Sequence, residues 1–459
     1  MDRQNAQVSV KVTALAYYAL IILMFAVFLS FLDRMILSLV IGPVRHDLHI
    51  SDTQISLLIG GVFAVFYVLT ALPFGWLVDR TNRRNLLAVA MIFWGGMTVL
   101  SGFTTSFTEL GLTRIGLALG EAALMPAAMS MIGDLFPTHL RGRATGAYTA
   151  AGVFGVGGAY VLGGLVLKAF QGVDVVSLPV IGNMALWQAA FVVVGLPTIL
   201  LGLITFALPE PPRSRSELTP SKEPSASLIA YVKTNRKAFF YVYGNYIFVT
   251  LVAYAWLTWL PTFFIRKYAM TPATAGLSVG VVTLVAGVLG SIAGGALGDR
   301  WTVKGVRGGR FTLNMIMWAT VPVLALCLLI NNFYLSLACA GVFFFVDYVA
   351  YGSYGAVIQD MVPPPLRGQA VVLWYLITGL IGIGLGPVSI AVATQYLFGG
   401  DAGLPYAMAF VPLPSVVLGA ILCWFGRNAF DDTRRQVDRE AMAGAGTGRM
   451  SAPPPPGGT

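Results

Sequence analysis

The chain has 459 residues, of which 57% are hydrophobic and only 11% charged, with a mean hydropathy of +0.77 and a formal net charge of +9. Soluble domains carry roughly 25% charged residues, so a soluble globular fold is excluded and a polytopic membrane protein is implied. The basic excess would suit nucleic acid only if it were gathered on one folded surface, whereas here it falls in the loops between apolar runs, where it sets topology.

A helix needs about 20 apolar residues to cross the hydrocarbon layer. Runs of that kind recur at 15–40, 54–78, 86–104, 108–133, 144–169, 184–208, 240–264, 274–298, 312–331, 333–359, 370–398 and 405–426. This predicts an all-α membrane protein with twelve transmembrane helices. The Gly and Pro inside several runs are tolerated, because neighbouring helices resatisfy the backbone in a bundle. The first run is too long for a cleavable signal peptide and leads into a polar loop and a second span. With both termini placed in the cytosol, 23 of the 29 Lys and Arg lie on that side, Arg45, Lys168, Arg266 and Lys267 lie outside, and Arg34 and Arg114 lie within spans. Cys327, Cys339 and Cys423 all sit in apolar runs without disulfide or metal spacing and read as packing residues.

The polar stretch PEPPRSRSELTPSKEPSAS at 209–227 separates six spans from six. The expected organisation is a six-helix bundle at 1–208, a cytosolic linker at 209–237, a second bundle at 238–426 and a largely disordered cytosolic tail at 427–459. Within that tail, DDTRRQVDRE is compatible with a short helix or with no structure. The halves echo each other. GWLVDRTNRR follows the second run and GALGDRWTVKG the eighth, each with Gly four residues before Asp-Arg; DLFPTHLRGRA follows the fourth run and DMVPPPLRGQA the tenth. Two matches at corresponding loops indicate duplication, a known transporter architecture with sites near the midplane between the halves.

On these motifs the chain resembles the major facilitator superfamily, whose loop after the second helix has the form Gly-x-Leu-x-Asp-Arg-x-Gly-Arg-Arg. Gly75, Leu77, Asp79, Arg80, Arg83 and Arg84 fit it, and Asn82 replaces the second Gly. The resemblance implies two pseudo-symmetric six-helix bundles and alternating access. It also implies a cytosolic gate drawn from Gly75, Asp79, Arg80, Arg83, Arg84, Asp299, Arg300, Arg141 and Arg367, closed when the cavity faces outward.

Four ionisable residues interrupt the apolar runs of the first half: Asp33 and Arg34 in the first, Arg114 and Glu121 in the fourth. Each costs about 2.5–3.5 kcal/mol at a helix centre, so they must be paired or hydrated. Asp33 and Arg34, adjacent in sequence, point about 100° apart and cannot face each other. Arg114 and Glu121 share a face but are separated by about 10 Å of rise. The two spans are therefore expected to supply each other's counter-ions. Such a set is neutral and can be rewired by a proton or an anion, since an Arg released from its carboxylate offers a fork of donors to a substrate carboxylate or phosphate. Fixed ion pairs tying helices together are the plainer alternative.

The FLDR of the first run, with RIGLALGEAALMP and DLFP followed by RGRA, is similar to the Spinster branch of the superfamily, transporters of lysolipids and sphingoid phosphates with many bacterial relatives. That resemblance implies Asp33 and Glu121 as proton carriers and Arg34 and Arg114 in substrate binding or gating. It further implies a lysolipid or small organic anion as cargo, membrane lipids as surroundings, a monomer, and a bacterial inner membrane as location. Organic-anion:proton symporters for carboxylates or sugar acids share the Asp-Arg and Arg-to-Glu spacing and remain an alternative, as does a ligand sensor that moves nothing.

Carrying the offset between Asp134 and Asp360 back along the chain puts Asp347 opposite Glu121 and Ala340 opposite Arg114. The second half thus keeps the acid and lacks the Arg. Tyr348, Tyr351 and Tyr354 are expected to hydrogen-bond Asp347, as a structural acid or a second coupling site. Tyr254, Trp256 and Trp259 are candidate cavity lining or packing, and Gly152, Gly155, Gly163 and Gly164 in GVFGVGGAYVLGG allow close helix approach. His46, His49 and His139 fall in loops, with no HExxH or Gly-x-x-x-x-Gly-Lys pattern. An enzyme or an ATP-driven pump is not expected, nor is a cofactor, a metal or a nucleic-acid partner.

Overall fold

The computed structural model describes residues 14–170, 172, 175–178, 182–213 and 227–450. Twelve helices are long and apolar enough to cross a membrane: span 1 Ala14–Leu39, span 2 Asp52–Arg80, span 3 Arg83–Ser101, span 4 Phe107–Leu135, span 5 His139–Ala169, span 6 Leu186–Thr205, span 7 Arg236–Tyr268, span 8 Pro272–Val303, span 9 Gly309–Cys327, span 10 Phe333–Asp360, span 11 Pro364–Leu397 and span 12 Asp401–Glu440. Their outer faces carry apolar side chains that a soluble fold would bury, such as Leu69, Trp76, Phe240 and Ile292, each about 60% exposed or more. A bilayer supplies the missing apolar contact. Spans 1–6 and 7–12 form two bundles, and the basic loops after spans 2, 4, 8 and 10 share one face of the molecule, called here the basic face.

The ends of the predicted runs shift where turn chemistry intervenes. Between spans 1 and 2 lies a short helix, Ile41–Leu48, closed by His49 in the left-handed conformation. Ser51 then caps span 2 reciprocally with Gln54. The loop between spans 7 and 8 repeats this construction, with Ala269 left-handed and Thr271 as the cap. Span 6 begins later than the hydropathy run, because 182–185 pairs antiparallel with 175–178 in a hairpin, Val175 opposite Ala185. The last helix, Pro412–Met450, runs far beyond its apolar part. The tail expected to be disordered is therefore helical as far as Met450, aided by Arg435–Asp431 and Arg434–Asp438 pairs one turn apart. A further helix, Leu228–Thr234, falls inside the expected linker. Residues 214–226 of that linker and 451–459 of the tail, with the basic residues Arg3, Lys11, Arg215 and Lys222, lie outside the described residues.

The halves meet through small residues. A Cβ on Gly157 of span 5 would lie 2.5 Å from the Leu284 nitrogen of span 8, and one on Gly280 would lie 2.6 Å from the Val161 nitrogen. Of the glycines singled out by sequence, Gly164 joins this contact, whereas Gly152, Gly155 and Gly163 pack on span 1. Spans 2 and 11 each loosen into a π-helical turn, Leu57–Val62 and Gly379–Ile383, and touch there: a Cβ on Gly60 would sit 2.8 Å from the Ile383 carbonyl oxygen. Extra residues inserted in this way mark functional positions in many helices.

Candidate functional site

Span 4 is broken immediately after Glu121. Its first helix is Phe107–Glu121 and its second begins at Leu124, and Pro126 has no N–H to return to the Ala122 carbonyl. The break turns the Glu121 carboxylate toward span 1, where Arg34 grips a single oxygen: Nε and Nη2 both lie 2.6 Å from Oε2. The other oxygen, Oε1, is buried and has no hydrogen-bond partner among the described residues. The Arg34 guanidinium also lies over the rings of Phe63 at 4.5 Å and Phe31 at 5.2 Å, a stacking that suits its planar, weakly hydrated cation.

Asp33 and Arg114 take a different arrangement from reciprocal ion pairing. The Asp33 carboxylate, fully buried, accepts hydrogen bonds from Trp94 Nε1 at 3.1 Å and Thr198 Oγ1 at 3.0 Å. Arg114 donates instead to the Asp33 backbone carbonyl at 3.3 Å and to Ser101 Oγ at 3.0 Å, and stacks on Phe191 at 4.9 Å. Spans 3 and 6 thus reach behind span 1 and hold its acid, which sequence spacing alone could not reveal. Of the four charges, Arg34 and Glu121 line the central cavity and Arg114 lines a smaller void beside Arg34, while Asp33 faces away from both.

The cavity lies between the halves, with about 1440 Å³ of free space including that open to solvent. Spans 1, 2, 4 and 5 contribute Phe31, Phe63, Met125 and Tyr148; spans 7, 10 and 11 contribute Tyr254, Phe344 and Tyr375. Asp347 lines it too, only 6% exposed. The tyrosines expected to hydrogen-bond Asp347 do not do so among the described residues: they stack on one another and on Trp374, with Tyr351–Tyr354 centroids 4.6 Å apart and Tyr354–Trp374 4.1 Å. Asp347 Oδ1 has no hydrogen-bond partner among the described residues. Trp256 and Trp259 are packing residues, fully buried with their N–H groups on the carbonyls of Met408 and Pro387.

Charges on the two faces are organised differently. On the basic face they bind within each half. Arg83, 1% exposed, pairs with Asp134 and with Glu210 at 2.9 Å, and donates to the Pro211 carbonyl. Arg84 donates to the Leu208 carbonyl, and Arg80 stacks over Trp76 at 4.3 Å. The second half repeats the first with Arg310, which joins Asp299 at 2.6 Å and Asp360 at 2.7 Å. Its position, opposite Arg83 across the duplication, is the signal that would have identified it. Among the described residues, no ion pair involves the side chains of Asp79, Arg141, Arg300 or Arg367, all exposed, and none crosses between the halves on this face.

On the opposite face the halves are tied. Arg266 grips Asp52 through two hydrogen bonds of 2.8 Å, and Arg45 approaches both Asp52 at 3.1 Å and Asp401 at 3.0 Å. Asp401 also receives Arg266 at 3.5 Å, and Thr53 donates to Gln395 at 2.8 Å. A fourth link, Tyr160 Oη to the Leu257 carbonyl at 2.6 Å, lies deeper in the spans toward the same face. The two repeated loops position the arginines: Arg45 stands four residues before left-handed His49, and Arg266 three before left-handed Ala269. Arg45 and Arg266, read from sequence only as exceptions to the charge bias, are the cations of this latch.

The Major Facilitator Superfamily profile matches residues 23–387. Protein spinster homolog 1 of Xenopus tropicalis is 27% identical over 87% of this chain and 78% of its own length. An MFS-type efflux pump of Mycolicibacterium smegmatis is 25% identical over 90% of this chain and 92% of that one. Among solved structures, a bacterial homologue of the human lysosomal transporter Spinster, crystallised inward-facing and unoccupied, superimposes with a TM-score of 0.76 at 25% identity, covering 93% of this chain and 98% of that one. The chain is an integral, multi-pass membrane transporter that belongs to the Major Facilitator Superfamily and is similar to its Spinster branch.

Proposed function

We propose that the protein is a proton-coupled secondary carrier that moves an amphiphilic or anionic organic solute by alternating access, with Glu121 as the proton site and Arg34 as the group that its protonation releases. The observation that carries this reading is the Arg34–Glu121 pair, which lines the cavity with one carboxylate oxygen engaged and the other free. A proton taken up on Oε1 cancels the carboxylate charge and weakens the pair. Arg34 then presents its donors to a carboxylate or phosphate of the cargo, and the cavity gains one positive charge. Return of the proton to the opposite compartment restores the pair and expels the anion. Asp33 and Arg114, whose charges cancel each other, act behind this exchange by holding span 1.

The basic face is cytosolic in this scheme, so the cavity opens inward while the Arg45–Asp52–Arg266–Asp401 latch closes the outside. Asp79, Arg141, Arg300 and Arg367, whose side chains form no ion pair among the described residues, are then free to meet across the halves when the cavity turns outward. Phe31, Phe63, Met125 and Phe344 favour an amphiphile with an apolar chain over a small, fully polar sugar acid. In proteoliposomes, an imposed pH gradient should drive uptake or release of a labelled lysolipid by the wild type. Glu121→Gln should abolish the gradient dependence while retaining ligand binding, and gradient-driven movement unchanged in that variant would refute the assignment.

A further inference from the structure

We infer that Asp347, with the tyrosines around it, forms a subsite for a protonated amine, so that the cargo carries an N–H-bearing ammonium group in addition to whatever Arg34 holds. The inference rests on the reading of the central cavity as the cargo site. Asp347 is more than nine-tenths buried, lines that cavity, and among the described residues leaves Oδ1 without a hydrogen-bond donor. Among the described lining residues, Arg34 is the one basic side chain, and it is committed to Glu121 at 2.6 Å and to the rings of Phe63 and Phe31. The first half of the duplication thus carries an acid with its cation, and the second half carries the acid alone. An ionised carboxylate without a partner at this depth is costly. A cation that arrives with the cargo offsets that cost, and its N–H supplies the donor that Oδ1 lacks.

The surroundings suit a cation rather than a second anion. Tyr348, Tyr351 and Tyr354 follow Asp347 on span 10, with centroids 6.0 Å apart for the first pair and 4.6 Å for the second. Tyr254 and Tyr375 approach from spans 7 and 11 as further lining. Aromatic faces attract a desolvated ammonium ion. Tyrosine hydroxyls can accept a second N–H without adding a competing charge.

The test is equilibrium binding to the full chain in lipid nanodiscs, with n-octylammonium and n-octanol as a matched pair and empty nanodiscs as the partition control. Wild-type protein should bind octylammonium at least about tenfold more tightly than octanol, and Asp347→Asn should bring that ratio to about one. Asp347→Glu should retain the preference. A wild-type ratio near one, or a preference that survives in Asp347→Asn, overturns the inference. Should Asp347→Asn fail to fold, the wild type alone decides: N,N-dimethyloctylammonium, which keeps an N–H but cannot be converted to an amide, and not octanol, should protect Asp347 from a hydrophobic carbodiimide, read by peptide mass. Equal labelling with and without the amine also overturns it. Binding needs no gradient, so an ammonium preference without proton-driven transport would refute the carrier reading alone, and proton-driven transport without the preference would refute this inference alone.

Discussion

Asp52→Asn isolates the contribution of the latch to the balance between conformations. Asp52 is 3% exposed, accepts two hydrogen bonds from Arg266, and faces Arg45 at 3.1 Å. Removing one partner of a buried pair costs about 3–5 kcal/mol. The Arg266 and Arg45 side chains keep 16% and 26% of their exposure, so solvent screens part of the loss, and an Asn still accepts one hydrogen bond. About 2 kcal/mol is left, which shifts the ratio of latched to unlatched molecules about 30-fold. Spin labels at His46 and Asn331, both exposed and on opposite halves of this face, would report the change by double electron–electron resonance after replacement of Cys327, Cys339 and Cys423. The long-distance population should grow in Asp52→Asn. Asp401→Asn should do less, because its side chain is already 59% exposed. An unchanged distance distribution in Asp52→Asn, or a larger effect from Asp401→Asn, would refute the reasoning.

Arg83→Ala removes the buried cation that Asp134 and Glu210 share, and should lower the thermal unfolding midpoint more than Arg310→Ala, whose partners are better hydrated; equal shifts in a thermal-stability assay would contradict this. Gly280→Val drives a branched side chain into the Val161 nitrogen and the Gly157 oxygen, costing about 1–3 kcal/mol of overpacking. It should separate spans 5 and 8, increase the long-distance population of the same spin-label pair, and slow transport. Trp94→Phe removes the indole N–H from Asp33 and is expected to reduce stability by about 1–3 kcal/mol while leaving the Arg34–Glu121 pair in place. A collapse of ligand binding in Trp94→Phe with no loss of stability would place Asp33 in direct contact with cargo instead.

The determinants of this structure divide along a physical line. Hydropathy runs, the side on which Lys and Arg collect, and the repeated Gly-to-Asp-Arg and Asp-to-Arg-Gly loops are local or periodic signals, and they determine twelve helices in two related halves. Cost arguments also apply to single residues: Asp33, Arg34, Arg114, Glu121 and Asp347 stand out because hydrocarbon penalises each wherever the fold puts it. Pairing is different, since it depends on which spans become neighbours. Only the tertiary structure gives Glu121 to Arg34, gives Asp33 to Trp94 and Thr198 rather than to Arg114, and leaves Asp347 without a donor among the described residues. The latch is the clearest case. Arg45, Asp52, Arg266 and Asp401 lie in four loops or helix ends separated by up to 356 residues, the two arginines marked in sequence only by breaking the charge bias and the two acids not marked at all, and they become one cluster because packing of spans 5 on 8 and 2 on 11 brings that face of the halves together. Composition can say that a buried charge needs a partner; the choice of partner is made by the packing of helices far apart in the chain.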